Sequence, residues 1–413
     1  MATRRSRFSD EEADEISENS GSEFEAETDS TYYSSGADSD FDETSSQSSS
    51  RSTHDESWRI GNFRRNKRTF MFTNSGCTSI VLHKLKGDAS MDFFNLFFDE
   101  NLMGTIVDQT NLYYYQTGKA SSKVAKTPSW FDTTIDEMYV FLATTMLMSF
   151  TKKNKLLSYW STDRLIMTPI FNELFPRHRY FAILQYLHFN NNTEQPDDDR
   201  LYKVNSVLRN LNEKFSNSFY PYQNICINEG MIAFKGRLKF KQYIPLKGNR
   251  FGIKLFLICD CSTGFILNFI VYTGSASERV RTSELDIPGS IVMLLLEKYL
   301  DKGPIIYVDN WYSSPKLFQV LYERSTGACG TIRKNRSGFP VFQEELQQGE
   351  QSVLHTANML ALKWHDKRDV YMLSSVHDPS MVSTGKRNAL TGEEILKPLC
   401  VKEYNQNKGA VDK

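Results

Sequence analysis

Cysteine is scarce in this chain, and none of it is arranged for metal. The six cysteines (Cys77, Cys226, Cys259, Cys261, Cys329 and Cys400) are scattered over 413 residues. Only Cys259 and Cys261 are close, in C-D-C spacing that turns both side chains to one face of a strand. No C-x-x-C pair is present, so the sequence offers no structural zinc site. Long apolar runs are also missing. No stretch approaches the roughly 18 apolar residues of a membrane span, which argues against a membrane partner. The N-terminus, MATRRSRFSDEEADE, lacks the apolar segment of a secretory signal. These absences predict a reducing, intracellular setting with free thiols.

Net charge is nearly absent too, at −1, but the figure hides a split. Residues 1–56 hold 16 acidic side chains against 4 arginines, which leaves 34 acidic and 45 basic residues for the remainder. An acidic tail on a basic body is a common layout for a nucleic-acid binder, and it also fits a basic domain with a solvated tail. The tail is rich in Ser, Glu and Asp and poor in aliphatics, so it cannot offset its ordering entropy and is expected to be disordered. At its end, Arg59, Arg64, Arg65, Lys67 and Arg68 form a basic cluster. Such a cluster suits nuclear import, a phosphate contact or a solvated linker. The body is different: 40% of the chain is hydrophobic, with 28 Phe and 20 Tyr, enough for two or three folded domains.

From about 85 to 220 the apolar spacing is helical, as in MDFFNLFFDENLMGTIVDQTNLYYYQ. Thr134 and Glu137 have the spacing of a capping box before MYVFLATTMLMSF. FPRHRYFAILQYLHFNN reads as another helix, ended by Asn190–Asn192. From about 223 the pattern turns to strands. YQNICINEGMIAF is β-like, and GIKLFLICD and FILNFIVYTG flank a C-S-T-G turn. IVMLLLEKYL is helical, PIIYVD is a short buried strand, SPKLFQVLYER opens a helix at Pro315, and ACGTIR is a further strand. Three strands, a helix, a strand, a helix and a strand is the order of a ribonuclease-H-like core, although other α/β folds share it. ANMLALKW and DVYMLSSV bracket a turn at HDKR and are expected to lie in an insertion.

Three positions bear on chemistry. Asp309 ends the strand PIIYVD, where a carboxylate is either a ligand or a turn cap. Asp412 in NKGAVDK reads by itself as a surface charge, and Asn228 as a polar strand residue. Lys235, Arg237, Lys239 and Lys241 alternate, so on a strand they would share one face. With Lys247 and Arg250 they suit a phosphate backbone or a solvated edge. Arg333, Lys334 and Arg336 would extend that surface.

Three segments carry a resemblance: NEGMIAFKGRLKFKQYIPLKGNRFGIKLFLICD, VDNWYSS and YNQNKGAVD. In order and content they resemble piggyBac-type transposases and their domesticated descendants over roughly 85–413. The resemblance implies an α/β plus α fold. A disordered acidic tail with a basic boundary (1–65) would precede the first part of an α-helical dimerisation and DNA-binding domain (78–222). A ribonuclease-H-like catalytic core (223–332), an inserted β-rich segment (333–398) and a return to the core (399–413) would follow.

The resemblance also implies DNA transposition through hairpin intermediates, with three aspartates holding Mg²⁺ or Mn²⁺. The second and third aspartates match Asp309, in D-N-W, and Asp412, in G-x-V-D. The first falls at Asn228, a neutral isostere that lacks the charge offsetting a divalent ion. Glu229 is adjacent but faces the other side of the strand, so it could substitute only after a register shift. The family's C-terminal helices and cysteine-rich zinc module have no counterpart up to Lys413, so transposon ends are expected to bind poorly. The expectation is a nuclear, DNA-binding, catalytically impaired derivative, possible as a homodimer. The alternatives are an active metal-dependent transposase or nuclease, and a chromatin-associated protein that captures protein partners through its acidic tail.

Overall fold

A computed structural model describes residues 58–61, 63, 69–71, 74–85, 90–117, 130–245, 250–274, 284–387 and 392–412. The acidic segment 1–56, Arg64, Arg65, Lys67, Arg68 and Lys247 lie outside these residues. The chain divides into two compact units. One takes the described residues between 90 and 211, and the other takes those from 58 to 85 and from 212 onward.

The second unit begins with β1 (Gly76–Cys77) and α1 (Ser79–Lys84). β1 pairs antiparallel with β2 (Phe219–Tyr220), so this stretch joins the sheet-bearing unit rather than the helical one.

The first unit is helical. Its long periodic stretch is two helices, α2 (Ser90–Phe97) and α3 (Glu100–Gln116). Asp99 breaks them by accepting the Leu102 amide at 3.0 Å, an N-cap in the middle of an apolar run. α4 (Ile135–Leu147) starts at Thr134, which accepts the Glu137 amide at 3.2 Å. Only that half of the expected capping box forms. The Glu137 carboxylate instead takes the Arg179 guanidinium at 2.7 and 2.6 Å and the Thr133 hydroxyl at 2.7 Å. A charged bidentate partner outcompetes a single backbone N–H. α5 (Pro169–Leu174), α6 (Arg177–Tyr186) and the start of α7 (Tyr202–Ser218) complete the unit. Helix α6 stops at Tyr186, before the asparagines. Met103, Ile106, Met138, Phe141, Phe171, Tyr180 and Ile183 form the core of this unit.

The second unit is built on a nine-stranded mixed sheet. Its strands are β3 (Asn224–Ala233), β4 (Gln242–Tyr243), β5 (Phe251–Asp260), β6 (Ile266–Val271), β7 (Ile305–Val308), β8 (Gly327–Thr331), β9 (Gln351–His355), β10 (Leu360–His365) and β11 (Asp369–Ser374). The order is β4-β5-β3-β7-β8-β11-β10-β9, with β6 also on β5. β3, β7 and β8 run parallel, and β5 and β6 reverse by a hairpin. The hairpin turn follows from its sequence. Asp260 accepts the Thr263 amide and hydroxyl at 2.9 and 2.8 Å, and Gly264 supplies a φ of +75°.

β11 pairs with β8 through Met372–Thr331, so the hairpin expected in an insertion extends the main sheet. A separate ribbon is formed by β12 (Met381–Arg387) and β13 (Glu394–Pro398).

Helices cover both faces of the sheet. α8 (Ile287–Leu296) is capped by Asp286, and α9 (Pro315–Glu323) by Ser314 with Pro315 at its start. Both pack on one face with Ile225, Ile227, Phe256, Ile258, Ile306 and Val308. α10 (Leu399–Asn407), followed by a 3-10 turn at Lys408–Asp412, packs on the other with Cys226, Leu257, Cys259, Tyr307 and Cys329. Each such side chain, fully buried, contributes about 1.5–3 kcal/mol. The architecture is a mixed α/β fold: a large mixed sheet with helices. No helix among the described residues is long and apolar enough to cross a membrane.

Candidate active site

Parallel pairing of β3 and β7 runs in register to Ile227–Val308. The next residues along the chain are Asn228, still within β3, and Asp309, just past the end of β7. By alternation Asn228 shares the face of Cys226, which α10 covers. The turn carrying Asp412 packs along β3 and β5, and the Asp412 charge acts on Cys226 and Cys259. Asn228 and Asp309 thus lie side by side, and the Asp412 turn packs along the same sheet near Cys226 and Cys259. Asp412 is exposed there, and Asn228 and Asp309 are half-buried.

Thiols help to hold the C-terminal segment. Cys226 donates to the Lys408 carbonyl at 3.1 Å, Cys261 to Asn407 at 3.5 Å, and Cys329 to Cys400 at 3.7 Å. Burial pushes Cys226 and Cys329 well above the usual thiol range, so both stay protonated and able to donate.

Asp309 folds its carboxylate back onto the following turn, where it accepts the Trp311 amide at 2.8 Å. Burial, and after it the Glu229 charge, push the Asp309 carboxyl up to about 6. The Trp311 and Tyr312 amides and Lys254 pull the other way. Glu229 lies on the opposite alternation from Asn228 and is paired with Lys254 at 2.9 Å. Lys254 also sits over the rings of Phe256 and Trp311, at 5.0 and 5.1 Å. Phe256 and Trp311 stack at 5.7 Å.

Arg336 is placed differently from expectation. It is half-buried and donates to the carbonyls of Asn310 and Trp311 at 2.9 and 2.7 Å, with Asp286 at 3.6 Å. It clamps the turn after Asp309 instead of extending a DNA surface. Nothing local in the sequence signals this, because its acceptors lie 25 and 26 residues away.

A second correction concerns the basic run. β3 ends at Ala233, so Lys235, Arg237, Lys239 and Lys241 are not on a strand and strand alternation does not apply to them. Gly236 and a turn closed by the Lys241 amide on Leu238 break the ladder. Lys235, Arg237, Lys239 and Arg250 are exposed, Lys241 is half-buried, and Arg333 and Lys334 are exposed after β8. Lys241 lies over the Phe251 ring at 5.8 Å.

Mg²⁺ is held by carboxylates and retained waters, and here one of three expected carboxylates is an amide. Among the described residues, no group of three or more His, Cys, Asp or Glu side chains could hold a metal ion.

A family model described as Transposase IS4 matches residues 89–413. PiggyBac transposable element-derived protein 2 of Homo sapiens is 25% identical over 332 residues, covering 77% of this chain and 54% of its own length. PiggyBac transposable element-derived protein 5 of Homo sapiens is 23% identical, covering 76% of this chain and 62% of its own. This chain thus spans little more than half the length of these relatives. Among solved structures, a piggyBac transposase synaptic complex with hairpin DNA, determined by cryo-electron microscopy, matches with a TM-score of 0.67 at 24% identity. The match covers 82% of this chain and 69% of that one. With a family model matched along most of its length, this chain belongs to the piggyBac-type transposase family.

Proposed function

We propose that this protein is a transposase-derived, nuclear DNA-binding protein whose catalytic centre is impaired. The observation that carries the reading is Asn228, beside Asp309 where the parallel pairing of β3 and β7 ends. The order β6-β5-β3-β7-β8, with β5 alone antiparallel to both neighbours, supports a ribonuclease-H-like core. On such a core the three positions are those from which carboxylates act on a phosphodiester. An amide at the first weakens the hold on a divalent ion, and loss of one preorganised electrostatic group costs about 3–4 kcal/mol of transition-state stabilisation. DNA contact is assigned to Lys235, Arg237, Lys239, Lys241, Lys247, Arg250, Arg333 and Lys334, as cations for phosphate. The helical unit is read as the first part of a dimerisation and DNA-binding domain.

Calorimetric titration of the full chain with Mg²⁺ and Mn²⁺ tests the impairment. The unmodified chain is expected to show no saturable binding and Asn228→Asp to gain it. Saturable binding by the unmodified chain that disappears in Asp309→Ala sinks the reading. That second outcome is the one favoured if Glu229, whose charge already reaches Asp309, serves as the missing carboxylate.

A further inference from the structure

The helical unit exposes a compact apolar feature that its own core does not use. Leu165 is 92% exposed at the tip of a turn, with Ile166 and Met167 beside it at 46% each. A large apolar side chain left in water at a loop tip is ordinarily mobile, but this turn is tightly specified. The Asp163 carboxylate accepts the Leu165 amide at 2.9 Å, and the Asp163 carbonyl accepts the amides of Ile166 and Met167 at 3.1 and 2.8 Å. Ser161 accepts the Asp163 amide, and the Thr168 hydroxyl donates to the Tyr159 carbonyl at 3.0 Å.

A second exposed apolar residue, Phe150 at 86%, follows α4. That loop is tied to the turn by Lys153, whose ammonium donates to the Ile166 carbonyl and whose amide donates to the Tyr159 hydroxyl.

Charge narrows the choice of partner. Lys152 and Lys155 follow Phe150 in the chain, and Arg164 directly precedes Leu165, all three exposed. The one carboxylate in this stretch, Asp163, is turned onto the backbone of the turn. Apolar tips among cations suit a polyanion with an apolar interior. Duplex DNA has this character: lysines and arginines anchor phosphates while leucine, phenylalanine, isoleucine or methionine wedge between base steps. An acidic or apolar protein surface offers no equivalent spacing of charge around an insertable stack.

We propose that the Leu165 turn, with Phe150, is a wedge that enters a DNA groove and unstacks a base step, anchored by Lys152, Lys155 and Arg164. This rests on the DNA-binding reading above and deepens it: within the helical unit it names the contacting turn and its wedging action, apart from the basic run at Lys235–Arg250.

The test uses the full-length chain and a fluorescent duplex of about 30 base pairs, roughly three helical turns. One strand carries 2-aminopurine to report unstacking. Leu165→Ser, at a position outside any core, is expected to weaken binding at least about tenfold, the scale of one buried leucine withdrawn. It should abolish the 2-aminopurine increase and leave the slope of affinity against salt unchanged. Arg164→Ala should instead lower that slope. Lys239→Ala/Lys241→Ala separates the two readings: if that pair weakens binding while Leu165→Ser binds as the wild type does, the wedge is refuted and DNA binding stands. Failure of the unmodified chain to bind duplex refutes both. Sedimentation velocity identifies the rival occupant. A wild-type dimer that Leu165→Ser makes monomeric, with DNA affinity unaltered, assigns the turn to a second copy of the chain and overturns the proposal.

Discussion

The two faces of the large sheet are both buried, yet they are made of different materials. The face under α8 and α9 is aliphatic and aromatic: Ile225, Ile227, Ile258 and Val308 meet Leu295, Leu296, Leu317 and Phe318. The face under α10 carries Cys226, Cys259, Tyr307, Cys329 and Cys400. At its margin Ser374 accepts the amides of Val376 and His377, which leaves its own hydrogen for His377 Nδ1 at 2.8 Å. That fixes the proton of His377 on Nε2, which faces the Glu403 carboxylate at 2.8 Å, and Tyr307 donates to the same carboxylate at 3.3 Å. The first face supplies cohesion without direction. The second is held by directional bonds to α10, the helix that leads to Asp412. Positions expected to do chemistry lie where the packing is directional.

The largest effect should come from the aliphatic face. Phe318→Ala removes a fully buried ring and is expected to cost about 3–5 kcal/mol in urea unfolding. Hydrogen-exchange protection should fall across the whole sheet, because that face has no alternative support. On the other face, His377→Ala should cost about 2 kcal/mol, from leaving the Ser374 hydroxyl without its imidazole acceptor and taking one donor from Glu403 Oε2. Its exchange signature should be local, with Leu399–Asn407 losing protection while Pro315–Glu323 keeps it. Equal, global losses from both variants would mean that the two faces do not differ in the way described.

The elements that were legible from sequence are those with local causes. The C-S-T-G hairpin, the Pro315 helix start and the strand ending in Asp309 each follow from residues within a few positions of one another. The two-helix break at Asp99 was hidden because apolar periodicity continues across it and only the capping geometry reveals it. The basic run has an alternation that would suit one strand face, but Gly236 and the turn at Leu238–Lys241 end the ladder before it. At the site, the candidate positions came from motif resemblance, but their surroundings did not. Arg336, Lys254 and His377 act through partners 25 or 26 residues away, and no local pattern encodes such a pairing.

The smallest effect is also the one that separates two carboxylates most cleanly. Burial and Glu229 push Asp309 up to about 6, whereas an unfolded aspartate titrates near 3.9. A carboxylate raised in the folded state burdens folding whenever it is ionised. Above about pH 6 that burden is complete. As pH falls from about 6 to about 4 the folded chain takes up the proton first, so stability should rise, by about 1–2 kcal/mol after allowance for partial solvent screening. Glu137 behaves in the opposite sense. Burial works to raise it, but the Arg179 fork and the Thr133 hydroxyl outweigh burial and hold it low. Its contribution is present above the unfolded value and lost as pH falls through the folded one. With chelator present, urea midpoints taken from pH 7 to pH 4 should therefore climb in the wild type, and Asp309→Asn should remove the climb without touching the decline at lower pH. A climb that survives Asp309→Asn would assign it to another group and remove the electrostatic coupling between Asp309 and Glu229 from the account of this site.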